Sequence, residues 1–94
     1  MNKYESVVII NSNVEEETVK VLIKKFSDLI NKDGNVAKVE ELGKKKLAYE
    51  INKQKEGYYL VFKFEANPAL ITELERVLRI TDEVIKFMVI KEEE

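Results

Sequence analysis

The chain has 94 residues, a length that fits one domain with one modest core. It contains no Cys and no His, which excludes zinc and iron–sulfur sites, disulfides, and catalysis by a Cys or His side chain. The formal net charge of −2 does not indicate avid stand-alone binding to nucleic acid, although residues 38–55 hold six Lys against three Glu, a local excess that can attract phosphate.

The chain begins with a predicted strand and a predicted helix. Residues 4–11 are apolar and β-branched, which is typical of a central strand. A polar turn follows, in which Ser12 or Asn13 is expected to cap the next element. Residues 14–32 carry apolar side chains at spacings of three and four, which predicts an amphipathic helix. Gly34 is expected to end this helix with a positive φ.

Two further strands form a predicted hairpin. Residues 36–52 indicate a long strand with a bulge or bend at Gly43, and apolar alternation returns over residues 47–51. A polar turn is predicted at residues 52–57. The next strand, residues 58–65, has a core face and a wetter face. Its core face holds Tyr58, Leu60, Phe62 and Phe64, and its wetter face holds Tyr59, Val61, Lys63 and Glu65.

A second helix and a last strand complete the predicted elements. Asn67 stands at the cap position of the helix, and Pro68 is its first residue. Thr81-Asp82 ends the helix, and residues 84–90 form the last strand. Residues 92–94 are all Glu and are expected to form a solvated acidic tail.

The element order βαββαβ predicts the fold class. Two helices with one apolar stripe each can cover only one face of a four-stranded sheet. Right-handed crossovers then give an α+β, ferredoxin-like antiparallel sheet in the order 4-1-3-2, with the second strand at an edge. We expect residues 1–94 to form this single domain. The first residues show no apolar region followed by a small-residue cleavage site, and no apolar run is long enough to span a bilayer, so the expected location is the cytoplasm.

The polar residues do not form a catalytic pattern. Gly34, Gly43 and Gly57 are isolated, so a Gly-rich phosphate loop is absent. Glu40 and Glu41 are adjacent in a strand, so they point to opposite faces and cannot readily share a proton. We therefore expect neither enzymatic activity nor a cofactor.

Two apolar surfaces are candidates for binding. Residues 57–62 partly match the aromatic strand on which RNA-recognition motifs stack bases, but Glu56 stands where a basic residue is expected. Aromatic residues on that strand are more simply explained as core. Separately, the sheet face without helices would carry an apolar patch, and such patches usually mark a partner or a second copy. This patch consists of Val7, Ile9, Tyr59 and Val61.

The basic run Lys44-Lys45-Lys46 has two interpretations of equal weight. Lysines on an edge strand protect the strand from unwanted pairing. An edge strand with mixed charges also offers a docking strip for one complementary partner. The residues alone leave both possibilities open.

The segments, taken in order, resemble the bacterial small-subunit ribosomal protein six family. The likeness covers nearly the whole chain and depends on the joint order and spacing of its pieces. These are Lys3-Tyr4-Glu5, Val39-Glu40-Glu41-Leu42-Gly43, Leu47-Ala48-Tyr49-x-Ile51-x-Lys53, Gly57-Tyr58-Tyr59, Phe64-Glu65-Ala66, Leu74-Glu75-Arg76-x-Leu78-Arg79-Ile80-x-Asp82 and Met88-Val89.

The resemblance implies a structural role in the small ribosomal subunit, with no catalytic activity. It implies binding to small-subunit ribosomal RNA together with another small-subunit protein, number eighteen. The expected partner-binding residues are Glu40, Glu41, Lys45 and Lys46 on the edge strand. The expected RNA-binding residues are Lys3, Lys44, Arg79, Lys86 and Lys91.

Two departures from the family pattern affect these expectations. Lys86-Phe87 stands where the family often has Arg, so the charge remains but the bidentate fork is lost. Many relatives also carry a longer C-terminal tail, and the three terminal Glu residues here would repel phosphate.

The alternative function is a regulatory module of the same βαββαβ plan that binds a small molecule. Such modules favour Gly-rich or Asp-Asn loops at strand ends, which this sequence lacks.

Overall fold

A computed structural model describes residues 1–51 and 53–92 of the chain. The elements follow the predicted βαββαβ order, and each strand pairs antiparallel with its neighbours in the sheet order β2-β3-β1-β4. This confirms the predicted strand order and the position of β2 at an edge. The elements are β1 (Asn2–Asn11), α1 (Glu16–Asp33), β2 (Gly34–Ile51), β3 (Gln54–Ala66), α2 (Pro68–Ile80) and β4 (Val84–Lys91).

One hydrophobic core lies between the two helices and one face of the sheet. Alternate residues of β1 and β3 point toward the helices, and the apolar stripes of α1 and α2 pack against them. The opposite face of the sheet, here called the open face, has no helix. The fully buried large side chains of the core include Phe26, Phe62, Phe64, Ile10, Ile30, Leu60, Leu74 and Leu78.

The two ends of α1 differ from the prediction. Neither Ser12 nor Asn13 caps the helix, because the Asn13 backbone N–H donates to the Asn11 side chain and the Ser12 hydroxyl bonds to Gln54. The cap position is taken by Glu15, whose side chain makes no capping bond. Gly34 does not adopt a positive φ; its backbone is extended and it begins β2 directly. Gly is still required at this position, because a Cβ would overlap the backbone carbonyl of Glu65.

The helix α2 begins at the predicted residues. Asn67 occupies the cap position and Pro68 the first turn, but the Asn67 side chain makes no capping bond. Its backbone carbonyl instead accepts a hydrogen bond from Leu70 N–H at 3.0 Å. The helix ends where Thr81 was expected to stop it, and the Thr81 hydroxyl donates to the Val77 carbonyl at 2.6 Å.

The β2–β3 hairpin is longer than predicted and contains two irregularities. Gly43 has φ +80°, which confirms the predicted bulge. The predicted turn over residues 52–57 is wrong over residues 54–57, because β3 begins at Gln54 and Ile51 pairs with Gln54. Lys55 and Glu56 in this extension are exposed, so the pairing continues beyond the core. Asn52 lies outside the described residues.

The second irregularity occurs within residues 47–51, where simple alternation was predicted. Lys46 pairs with Glu56 and Ile51 pairs with Gln54, so four β2 residues stand opposite Lys55 alone. The surplus residues must leave the plane of the ladder. Residues 47–50 therefore form an arch, here called the hairpin arch, on the outer part of β2.

The open face is less exposed than the sequence predicts. Ile9 and Val61 are only 8% and 5% exposed, although neither belongs to the core under the helices. The side chain of Leu47 approaches Ile9 above Gly57, and Glu40 is the register partner of Val61. The expected apolar patch is therefore half covered by the chain itself.

The described part of the acidic tail is short. Glu92 donates its backbone N–H to the Lys3 carbonyl at 2.9 Å, while residues 93–94 lie outside the described residues. Among the helices that the structure describes, none is long and apolar enough to cross a membrane.

Candidate functional site

The free edge of the sheet at β2 carries acids and lysines on both faces. Glu40 lies on the open face, with its carboxylate 3.1 Å from the Lys38 ammonium and 3.8 Å from that of Lys63. A hydrogen bond from Lys38, followed by the charges of Lys38 and Lys63, lowers the pKa of the Glu40 carboxyl below its ordinary value. Glu40 is therefore ionised and held in place at neutral pH.

Glu41 faces the other way, as the alternation of a strand requires. It lies near Tyr58, whose ring packs against the core. Burial raises the pKa of the Tyr58 phenol, and the negative charges of Glu41 and Glu16 add to this effect. The two adjacent glutamates are thus divided between the faces of the sheet, and they cannot form an acid–base pair.

The basic run follows the Gly43 bulge on the same strand. Lys44, Lys45 and Lys46 are exposed and pair in register with Tyr58, Gly57 and Glu56. Within the described residues, no strand pairs with the outer side of β2. The partner-binding residues proposed from the resemblance, Glu40, Glu41, Lys45 and Lys46, therefore share one unpaired edge.

Near the opposite edge of the sheet, at β4, two cations lie close to aromatic side chains, one from α2 and one from β4. The guanidinium carbon of Arg79 lies 6.0 Å from the ring centre of Phe87, on the helix side of the sheet. The ammonium of Lys86 lies on the open face, where it hydrogen-bonds the Tyr49 hydroxyl at 2.9 Å and lies 5.3 Å from that ring's centre. One held cation thus stands on each side of β4.

Lys3 and Lys91 lie together at the far end of β1 and β4. Lys91 pairs in register with Tyr4, the neighbour of Lys3 in the chain. Both side chains are exposed. Four of the five predicted RNA-binding residues therefore lie along the β1–β4 side, whereas Lys44 lies with its lysine neighbours on β2 at the other edge. Its assignment to RNA remains a prediction.

The sequence did not identify Tyr49, Met88 or Ile90 as surface residues of interest. Their exposed fractions are 63%, 47% and 50%, which is high for large apolar side chains. Met88 and Ile90 lie on the open face of β4, beside Val7 and Glu5 of β1. The period of two along β4 could have placed them there, but nothing in the sequence indicated that Tyr49 reaches Lys86.

The open face does not offer the stacking platform of an RNA-recognition motif. Tyr59 is half-buried between Ile9 on β1 and Gly43 on β2, and β1 supplies aliphatic residues where a second aromatic would be needed. The depression beside it is small, at about 190 Å³. It is lined by Val7, Ile9, Tyr59, Lys86, Phe87 and Met88.

In the part of the chain that the structure describes, no three acidic side chains are grouped to hold a metal ion.

Comparison with known proteins decides among the classes of function. The family model described as Ribosomal protein S6 matches residues 3–91. The chain belongs to this family. It is 51% identical over 94 residues to small ribosomal subunit protein bS6 of Clostridium novyi, with 99% of each chain covered. It is 50% identical over 91 residues to the bS6 protein of Alkaliphilus oremlandii, with 97% of each covered.

Solved structures agree with this assignment. The crystal structure of 30S ribosomal protein S6 from Thermotoga maritima superposes with a TM-score of 0.92 at 36% identity, covering 97% of this chain and 87% of that one. An Arabidopsis thaliana protein with 18% identity and a TM-score of 0.58 shares the fold alone. The resemblance inferred from the sequence is thus confirmed. The chain is a structural protein of the small ribosomal subunit and not an enzyme, and the regulatory-module alternative is set aside.

Proposed function

We propose that this chain binds small-subunit ribosomal RNA together with small-subunit ribosomal protein eighteen, and that it docks on that protein through the β2 edge. The RNA lies along the β1–β4 side. In this proposal residues 1–94 act as one domain, and the protein works in the cytoplasm as part of the ribosome.

One observation carries the proposal: the two charged surfaces occupy opposite edges of the same sheet. Three strand spacings of about 4.8 Å, or roughly 14 Å, separate the backbone of β2 from that of β4. A protein partner at β2 and an RNA backbone at β4 can therefore contact the chain together without competing for the same side chains.

The β2 edge suits a protein partner better than RNA. Its charge changes sign at the bulge, with Glu40 and Glu41 on one side of Gly43 and Lys45 and Lys46 on the other. RNA phosphates would be repelled by the two carboxylates, whereas a protein surface of complementary sign pattern would be matched. An unpaired strand edge also offers backbone N–H and C=O groups for hydrogen bonding.

The β4 side suits a phosphate backbone. Lys3, Arg79, Lys86 and Lys91 are cations, and phosphate contacts position a protein without reading the base sequence. The chain as a whole carries a net charge of −2, so its own attraction for RNA is modest. A basic partner that binds RNA at the same time would supply the missing charge, which is why the two activities are proposed together.

Charge reversal at Lys45 and Lys46 tests the docking edge. The variant Lys45→Glu, Lys46→Glu is expected to bind purified protein eighteen about tenfold or more weakly, because two rim charges become repulsive. The matched control, Lys20→Glu with Lys25→Glu on the exposed side of α1, has the same net charge and should bind normally. Equal affinities for the two variants would contradict docking at β2.

Salt titration tests the RNA surface. Replacing Arg79 or Lys91 with Ala in the complex with protein eighteen should weaken binding to small-subunit ribosomal RNA and lower the slope of log affinity against log salt by about one. Lys20→Ala should leave that slope unchanged. Slopes that do not respond to Arg79→Ala and Lys91→Ala would contradict RNA binding at the β4 side.

A further inference from the structure

The contact between Tyr49 and Lys86 joins the two edges of the sheet. Tyr49 belongs to β2, and Lys86 belongs to β4, with β3 and β1 lying between these strands. The Lys86 ammonium nevertheless donates a hydrogen bond to the Tyr49 hydroxyl at 2.9 Å. The proposed protein surface and the proposed RNA surface are therefore in direct contact through these two side chains.

The hairpin arch explains how Tyr49 crosses the sheet. Residues 47–50 are surplus to the β2–β3 pairing, so this part of the chain rises over the open face. Leu47 anchors the arch, since its side chain packs near Ile9 above Gly57, where the absence of a Cβ leaves room. Tyr49 thus extends from a segment that is fixed by apolar packing two residues earlier.

The contact restricts a side chain that is otherwise flexible. A free Lys samples many rotamers, and ordering it on a phosphate costs conformational entropy. Here the Lys86 ammonium is held by the Tyr49 oxygen at 2.9 Å, with the ring centre 5.3 Å away. An ammonium has three N–H donors, so two remain available for phosphate oxygens.

The charge state of the pair is consistent with this role. The hydrogen bond with Tyr49 and the interaction between their charges raise the pKa of the Lys86 ammonium. The same contact lowers the pKa of the Tyr49 phenol. Lys86 therefore remains fully charged at neutral pH.

We propose that Tyr49 is a positioning residue, which holds the Lys86 ammonium in place for contact with a phosphate of the ribosomal RNA. This inference rests on the proposed function, in which RNA lies along β4. Tyr49 belongs to the hairpin that the proposed function places against protein eighteen, so one segment carries both the docking edge and the residue that holds Lys86.

A double-mutant cycle tests this inference. The affinity of the full chain in complex with protein eighteen for small-subunit ribosomal RNA would be measured for the unmodified protein, Tyr49→Phe, Lys86→Ala and the double variant. Tyr49→Phe removes only the hydroxyl and is expected to weaken binding about two- to fivefold, the range for one exposed hydrogen bond from a charged donor. In the Lys86→Ala background, the same replacement should have no further effect.

The salt dependence separates positioning from simple destabilisation. Lys86→Ala should lower the slope of log affinity against log salt by about one, and Tyr49→Phe should lower it in part. The control Tyr4→Phe removes a phenol hydroxyl on the helix side, where it lies 3.4 Å from Asn2, and should leave the slope unchanged. A loss of folding stability alone would not change the slope.

Three results would overturn the inference. The first is an unchanged RNA affinity in Tyr49→Phe. The second is an equal loss of RNA affinity from Tyr49→Phe whether position 86 is Lys or Ala. Both results would leave the proposed function standing. Failure of the unmodified complex to bind the RNA would overturn the proposed function together with this inference.

Discussion

Gly57 of β3 lies directly against Ile9 of β1 on the open face, and a Cβ at position 57 would overlap the Ile9 Cγ2 methyl. Replacing Gly57 with Ala is therefore expected to destabilise the protein by about 1–3 kcal/mol, because a side chain must be forced into a filled space. Urea denaturation measures this free energy of unfolding. Retained stability in Gly57→Ala would show that Ile9 moves aside at little cost.

Gly43 is required for a different reason. Nothing lies within 4 Å of the position of its missing Cβ, but its φ is +80°. Gly43→Ala should cost about 1–2 kcal/mol through backbone strain, whereas Gly43→Asn should cost less, because Asn tolerates this region better. The same denaturation experiment compares the two variants. If Ala and Asn behaved alike, the strain explanation would fail.

Val61 should contribute to stability although it lies outside the helix-covered core. It is 5% exposed, and truncation to Ala removes two methyl groups from a packed site. We expect Val61→Ala to cost about 1.5–2.5 kcal/mol. Val21→Ala is the matched control, because Val21 is 65% exposed and its truncation should change the free energy of unfolding by less than about 0.5 kcal/mol. Equal effects at the two positions would mean that the open face is solvated after all.

The Glu40 carboxyl should titrate below its ordinary range. Its pKa is lowered in the folded state, so its contribution to stability is present at neutral pH and is lost as the pH falls through the acid range. Side-chain NMR titration follows this pKa directly. Lys38→Ala should raise it more than Lys63→Ala, because Lys38 is the nearer cation and donates the hydrogen bond. A larger effect from Lys63 would contradict the geometry described above.

The strand order and the helix stripes could be predicted because they follow from periodicity. Leu70, Leu74 and Leu78 recur on one side of α2, and all three are buried as that spacing requires. Two such helices leave one face of a four-stranded sheet uncovered, whatever the details of the loops. The family resemblance used the same regular segments, so it could be recognised from the sequence.

The local departures could not be predicted because they depend on contacts between distant segments. Gly34 suggested a helix stop, but its need for Gly comes from the Glu65 carbonyl on β3. The alternation of apolar and polar residues over 47–51 did not indicate that β2 has more residues here than β3 can pair with. Only the register between the two strands shows this. The Tyr49–Lys86 contact follows from that register and spans 37 positions of the sequence.

The position of β1 between β3 and β4 has a consequence for how the chain is made. β1 is synthesised first, yet both of its neighbours come from the second half of the chain. During translation, β3 and then β4 emerge after β1. The apolar segment Val7-Val8-Ile9-Ile10 therefore has no strand to pair with until they do. Such a segment is prone to join other nascent chains. The pairing of β1 on both of its sides can therefore be completed only after the C-terminal strand has been made.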